Sequence, residues 1–295
     1  MKKMIFVVFT AVLLSACQVE RQYDASGNFE AAEITISAEA TGRILALDIR
    51  EGQEIIAGQK VGSIDSMQIY LSKLQLEKNI LAVTKNRPDL QKQISALETQ
   101  IRKQKTEQNR VQKLFNDGAA TNKQLDDINA QIEILENQLE AQKSSLQNSV
   151  LSIDAQTSSI EMQIAQIEDK LAKCSVFSPI SGTVLAKYVN VGEYVVTGKP
   201  LFKVADLHNI YMRAYLTSAQ LSKIKIGQHV KIFADFGGNN TREYNGIIEW
   251  ISSKSEFTPK NIPTDKELEN IVYAVKITVK NDGYIKIGMY GRIKL

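Results

Sequence analysis

The sequence predicts an α+β fold: a long antiparallel helical hairpin inserted into a split β-sandwich, followed by a small β-barrel. Three observations carry this. Residues 66–173 form a glycine-poor block rich in Gln, Leu, Ile, Glu and Lys, with apolar residues on a seven-residue period. The segments flanking that block repeat one another at a fixed offset of 140 residues. After the second repeat, short alternating strands separated by glycine turns continue to the last residue.

The amino terminus, residues 1–16, has the form of a signal peptide: Lys2 and Lys3, then an apolar run from Ile5 to Leu14. That run is far shorter than the roughly 20 residues a membrane-spanning helix needs. Leu14-Ser15-Ala16-Cys17 matches the bacterial lipobox, which makes Cys17 the expected lipid anchor. Removing residues 1–16 leaves 34 basic against 33 acidic residues, a net charge of +1, so no charge-based case for nucleic-acid binding remains. Residues 17–32 are polar, carry Ser26-Gly27-Asn28, and read as a tether.

Residues 33–65 form the first half-unit and residues 174–206 the second. Aligned without a gap, Gly42, Gly52 and Gly58 fall on Gly182, Gly192 and Gly198. Eight apolar positions also coincide: Ile44/Val184, Leu45/Leu185, Ala46/Ala186, Ile49/Val189, Ile55/Val195, Ile56/Val196, Val61/Leu201 and Ile64/Val204. Neither half is large enough to bury a core, so the two are expected to pair into one sandwich.

Between them, Leu125, Ile132, Leu139, Leu146, Ile153, Ile160 and Ile167 recur every seven residues, joined by Ile128 and Leu135. The first arm answers with Ile94, Leu97, Ile101, Val111 and Phe115, completing a coiled-coil seam. Gly118 marks the turn between the arms, and Thr121 with Gln124 has the spacing of a capping box. Pro88 interrupts the first arm. Either it starts a second helix or it marks a joint crossing both arms near Gln147-Asn148-Ser149.

Residues 207–295 supply strands at Asn209–Leu216, Gly227–Phe233, Asn245–Ile251, Val272–Val279 and Gly291–Leu295, with a capped helical turn from Thr217. This suits a small β-barrel.

This order of parts, with the stretch from Cys174 through Pro179 to Gly182-Thr-Val, resembles the periplasmic adaptor proteins, or membrane fusion proteins, of the HlyD type, and the split sandwich resembles their lipoyl-like domain. The resemblance implies an adaptor of a tripartite efflux or secretion system that joins an inner-membrane transporter to a TolC-like outer-membrane channel. It implies a homo-oligomer, trimer or hexamer, held to a membrane in the periplasm. Phe257-Thr258-Pro259-Lys260-Asn261 followed by Val272–Ile277 is similar to a stretch of adaptors serving ABC-type transporters. The chain stops soon after, and the added membrane-proximal domain of longer adaptors is expected to be missing. Adaptors that dock on such channels show Arg, Leu four residues later and Ser seven beyond. Here Arg110, Leu114 and Thr121 stand at those spacings, with threonine for serine. Thr121 also has a sufficient structural reason to be there as a helix cap, and Leu114 as padding at the seam edge.

No catalytic motif is found. His208 and His229 lie on separate elements without metal-ligand spacing and read as ordinary barrel residues, and no cofactor is expected. Cys174 reads as a small buried apolar residue, and Trp250 as core or half-buried strand. Lipoyl carriers hold a modified lysine in the turn between their halves. Asp65-Ser66, at that turn, offers none, so an enzyme role is not expected. A structural coiled-coil lipoprotein without a transport role is the competing reading.

Overall fold

The computed structural model describes residues 23–238, 240–257 and 271–295. Packing divides them into two units: residues up to Ile64 together with Val176–Leu295, and Asp65–Ser175.

The first unit begins with a correction. The presumed tether contains a strand, β1 (Ala25–Glu30), paired on both sides within the barrel sheet. Phe29 is fully buried there, and Gly27 faces the neighbouring strand so closely that a Cβ would sit 2.0 Å from the Arg213 carbonyl oxygen. A glycine that reads as loop chemistry is in fact a close-approach residue.

The sandwich follows as β2 (Glu33–Ser37), β3 (Gly42–Leu47), β4 (Glu54–Ile55) and β5 (Lys60–Ile64). Its second half contributes β6 (Ser175–Phe177), β7 (Gly182–Lys187), β8 (Tyr194–Val195) and β9 (Pro200–Ala205). The sheets run β2-β9-β7-β4 and β6-β5-β3-β8, so each half contributes two strands to each sheet. The 140-residue repeat is reproduced bond for bond. The Gly52 N–H donates to the Val184 carbonyl at 2.8 Å and the Gly192 N–H to the Ile44 carbonyl at 2.9 Å. A bulge between Ile44 and Ala46 has its counterpart between Val184 and Ala186. Five of the eight matched pairs fill the core, Ala46/Ala186 is half-buried, and Leu45/Leu185 and Ile56/Val196 lie outside it. Gly52 and Gly192 both need positive φ, +83° and +92°, which explains their recurrence.

The barrel strands are β10 (Asn209–Thr217), β11 (His229–Asp235), β12 (Thr241–Ile251), β13 (Glu256–Phe257), β14 (Ile271–Lys280) and β15 (Tyr290–Lys294), with α4 (Ser218–Leu221) as a single turn. The ring β10-β1-β15-β11-β12-β14 closes because β14 also pairs with β10, and β13 adds to the start of β14. Phe29, Met212, Leu216, Ile232, Ile248, Ile277 and Ile293 fill the interior at 0% exposure. Closure leaves the ring strands no open edge. Trp250 departs from the expected core or half-buried place: it is 45% exposed, because a register shift between Ile248 and Trp250 turns it outward.

The second unit has three helices, α1 (Met67–Lys85), α2 (Leu90–Asn116) and α3 (Asn122–Lys173). Pro88 splits the first arm: α1 ends at Lys85, and Asp89 caps α2 by accepting from the Lys92 N–H at 3.1 Å. The second arm has no matching joint, since α3 runs unbroken for 52 residues, about 78 Å. The level opposite the break is also corrected, with Arg87 meeting Asp154 at 3.2 Å rather than residues 147–149. Lys73–Glu168 at 2.6 Å and Lys105–Glu136 at 2.6 Å keep the same antiparallel register on either side of the break. Ile94, Ile101, Val111, Ile132, Leu135 and Leu146 are the buried seam residues.

Candidate docking site at the hairpin tip

The tip is defined by how two helices end. At the last turn of α2 the Ala119 N–H donates to the Leu114 carbonyl at 2.7 Å and the Gly118 N–H to the Phe115 carbonyl at 3.0 Å. Gly118, at φ +75°, supplies the left-handed residue this Schellman closure requires. Three residues later Thr121 Oγ1 accepts from the Gln124 N–H at 3.3 Å, and Gln124 Oε1 accepts from the Thr121 N–H at 2.9 Å. The reciprocal bonds start α3 as a capping box.

Of the three sequence-predicted tip residues, Arg110 and Leu114 lie one helical turn apart on α2, off the seam that buries Val111. The Arg110 side chain is 71% exposed and pairs with Glu107 at 2.5 Å. Leu114 is 41% exposed. Thr121 is exposed too, with its hydroxyl engaged in the cap. Glu107 was absent from the sequence reading, although its three-residue spacing to Arg110 was a usable signal. An exposed leucine beside a guanidinium whose only counter-ion among the described residues is a flexible surface carboxylate can exchange that partner for another at little cost.

The remaining candidates are scattered. Cys17 lies outside the described residues, as do Thr258, Pro259, Lys260 and Asn261. Cys174 is buried after the last turn of α3, where burial pushes its thiol pKa up and the nearby Asp65 carboxylate adds to the rise. A thiol so held is a poor nucleophile. His208 sits on the exposed segment between β9 and β10, loosely facing Glu54 at 3.8 Å and Asp206 at 3.9 Å. Asp206 is held below the usual carboxylate range by the Asn209 side chain first, and by the His208 and Asn209 backbone amides. His229 is exposed at the start of β11. Among the described residues no group of three metal-ligating side chains converges, and no helix is long and apolar enough to cross a membrane. Sequence reasoning also missed Arg242, stacked 4.1 Å from the Tyr284 ring and 5.3 Å from that of Phe236. No local pattern links residues so far apart in the chain.

A sandwich built from two interleaved halves, split by a helical hairpin and followed by a closed barrel, is an architecture shared with membrane fusion proteins. The particular family follows from comparison. A family model described as the barrel-sandwich hybrid domain of RND membrane fusion proteins matches residues 32–207, more than half of the chain. The chain belongs to the membrane fusion, or periplasmic adaptor, proteins of efflux systems.

Among curated relatives, a UPF0194 membrane protein of Yersinia pseudotuberculosis is 30% identical over 115 residues, 39% of this chain and 34% of that protein. UPF0194 membrane protein YbhG of Salmonella gallinarum is 27% identical over 125 residues, 42% and 37%. The matches thus span little more than a third of the length of these relatives. Among solved structures, MacA from Actinobacillus actinomycetemcomitans has a TM-score of 0.56 at 21% identity, covering 91% of this chain and 76% of that one. The membrane fusion protein Spr0693 from Streptococcus pneumoniae R6 has a TM-score of 0.52 at 16% identity, covering 91% and 96%. At such identities these two likenesses show the fold alone.

Proposed function

We propose that this chain is a lipid-anchored periplasmic adaptor that joins an inner-membrane transporter of ABC type to a TolC-like outer-membrane channel. The observation that carries this reading is the tip, where Arg110 and Leu114 stand exposed one turn apart beside a rigidly closed loop. Cys17 is the anchor, and the absence of aspartate at Gln18 leaves the inner membrane favoured only by the transporter that must be met there. Trimers or hexamers of the chain gather their hairpins into a conduit. The ABC assignment rests on the resemblance around residues 257–277. An RND-type transporter is the second reading, favoured by the description of the matching family model.

Two substitutions test the tip. Arg110→Asp and Leu114→Ser leave Val111 and Phe115 in the seam, so melting of the purified protein should be nearly unchanged. Transport in cells lacking the wild-type copy should fall sharply, because charge reversal sets repulsion where attraction was. Normal transport by both variants would place the channel contact elsewhere. Thr121→Ala loses a cap as well, about 1 kcal/mol, so lost transport there counts for the tip only if Thr121→Ser, which retains the cap, restores it. Crosslinking in intact cells identifies both membrane partners and decides between the ABC and RND readings. Mass measurement of the mature amino terminus decides acylation of Cys17.

A further inference from the structure

One end of the barrel is marked out by the chain itself. Strand registers place the sandwich connections, before β2 and after β9, at one end of the barrel. At the other end the Asp24 N–H donates to the Ile293 carbonyl at 2.9 Å, and the Leu295 N–H donates to the Asp24 carboxylate at 2.8 Å. The Gln220 amide of α4 donates to the Asp24 carbonyl, fixing α4 and the loop after it beside the point where the chain joins the barrel.

That loop reads Ser222-Lys223-Ile224-Lys225-Ile226-Gly227-Gln228. Ile224 is buried in the barrel core, whereas Lys223 and Lys225 are exposed and Ile226 is 66% exposed. Ile226 thus follows two exposed lysines as an apolar side chain displayed to water. The loop is held in shape: the Gly227 N–H donates to the Ile248 carbonyl at 2.8 Å, and the Ile248 N–H to the Gln228 carbonyl at 3.0 Å. It therefore holds Ile226 on a fixed support next to β12, a strand on which Ile247 and Trp250 are also exposed. Lys223, Lys225 and Lys254, all at this end, form no ion pair among the described residues. Among the described residues the acids at this end, Asp24 and Glu256, are engaged, Asp24 with the Leu295 amide and Glu256 with Arg213 at 2.6 Å.

The length of chain outside the described residues says what covers this end. Cys17 precedes Tyr23 by six residues, which span about 20 Å at most. A lipid on Cys17 therefore keeps the barrel end within about 20 Å of a bilayer surface, a step that rests on the anchor reading above.

We propose that this end of the barrel lies on an anionic phospholipid surface, with Ile226 inserted among the headgroups and Lys223 and Lys225 against their phosphates. An acyl anchor and a cationic–apolar contact are the two signals whose combination gives lasting membrane attachment. The loop also fixes which way the barrel points, which a lipid anchor alone cannot do.

The test uses the chain from residue 18 onward, which keeps every described residue and carries neither acyl chain nor apolar leader. It is sedimented with vesicles of phosphatidylethanolamine and phosphatidylglycerol, and separately with phosphatidylcholine vesicles. Partition into the anionic vesicles is expected, weakened by salt. Replacing both lysines by glutamine should lower it about 25-fold, near fivefold for each charge. Ile226→Asn should lower it about tenfold. All three sites are exposed, so unchanged melting shows that folding is not the cause. Equal partition into both vesicle types, variants that bind like the wild type, or protection of the loop only when a membrane protein is present would each overturn the proposal. Because Cys17 is absent from this chain, the result is separate from the acylation measurement.

Discussion

The barrel and the hairpin bury their apolar residues to different degrees. In the barrel, Ile232, Ile248, Ile277 and Ile293 are completely enclosed by a sheet that closes on itself. In the hairpin the six buried seam residues retain 6–9% exposure, and α1 buries none. The barrel is a three-dimensional core, whereas the hairpin is a line of contacts repeated along its length. A deletion in the first leaves a cavity with rigid walls. In the second, neighbouring side chains and water reach the gap. Barrel stability should therefore depend on individual side chains, and hairpin stability on register, length and helix ends.

The strongest attempt to break this comparison removes one region. With residues 67–172 replaced by a short turn, the sandwich and barrel should still form. Circular dichroism should then show a cooperative β-rich melt with most helical signal gone, and an unfolded product would mean that the β unit depends on the hairpin. Next in size is truncation inside the barrel. Ile277→Ala should cost about 4 kcal/mol in urea denaturation, against about 2 kcal/mol for Ile132→Ala in the seam. Equal losses would erase the distinction. Gly27→Ala should cost about 3 kcal/mol, since the added methyl meets the Arg213 backbone oxygen rather than a yielding side chain. A neutral result would return residues 25–30 to the role of a tether.

The smallest effect belongs to a helix end. Asp89 is held below the usual carboxylate range by the Lys92 backbone N–H and then by the Lys92 side chain. A depressed folded value means that its contribution is present above the unfolded value and lost as pH falls below about 4. Helical signal should weaken in that window in the wild type. Asp89→Asn, whose amide oxygen caps at every pH, should remove this part of the acid sensitivity without flattening the barrel's own transition.

Much of the fold was legible because its signals are local or periodic. The seam from Leu125 to Ile167 needs only a seven-residue count, and the capping box needs only Thr121 and Gln124. The repeat at 140 residues needs only a fixed offset, with glycine at Gly52 and Gly192 and apolar residues at Ile44 and Val184, and the structure carries it as far as a bulge in each half. The tip was legible in part: Arg110, Leu114 and Thr121 could be placed beside the turn, but not the ion pair with Glu107.

What only tertiary structure decided concerns contacts between residues far apart in the chain. Ala25–Glu30 looks like a linker because a six-residue strand with one large apolar side chain carries no pattern of its own. It becomes a strand because β10 and β15 offer their backbones on both sides. Leu45 and Leu185 occupy the same place in the repeat, yet Leu185 packs against the barrel core while Leu45 is exposed. Trp250 faces outward because one bulge reverses the strand's alternation. The sequence by itself determined the periodicities and turns, since those depend on neighbours along the chain. Which face each pattern turned inward was left to the closed ring and the paired halves, because burial depends on what arrives from elsewhere.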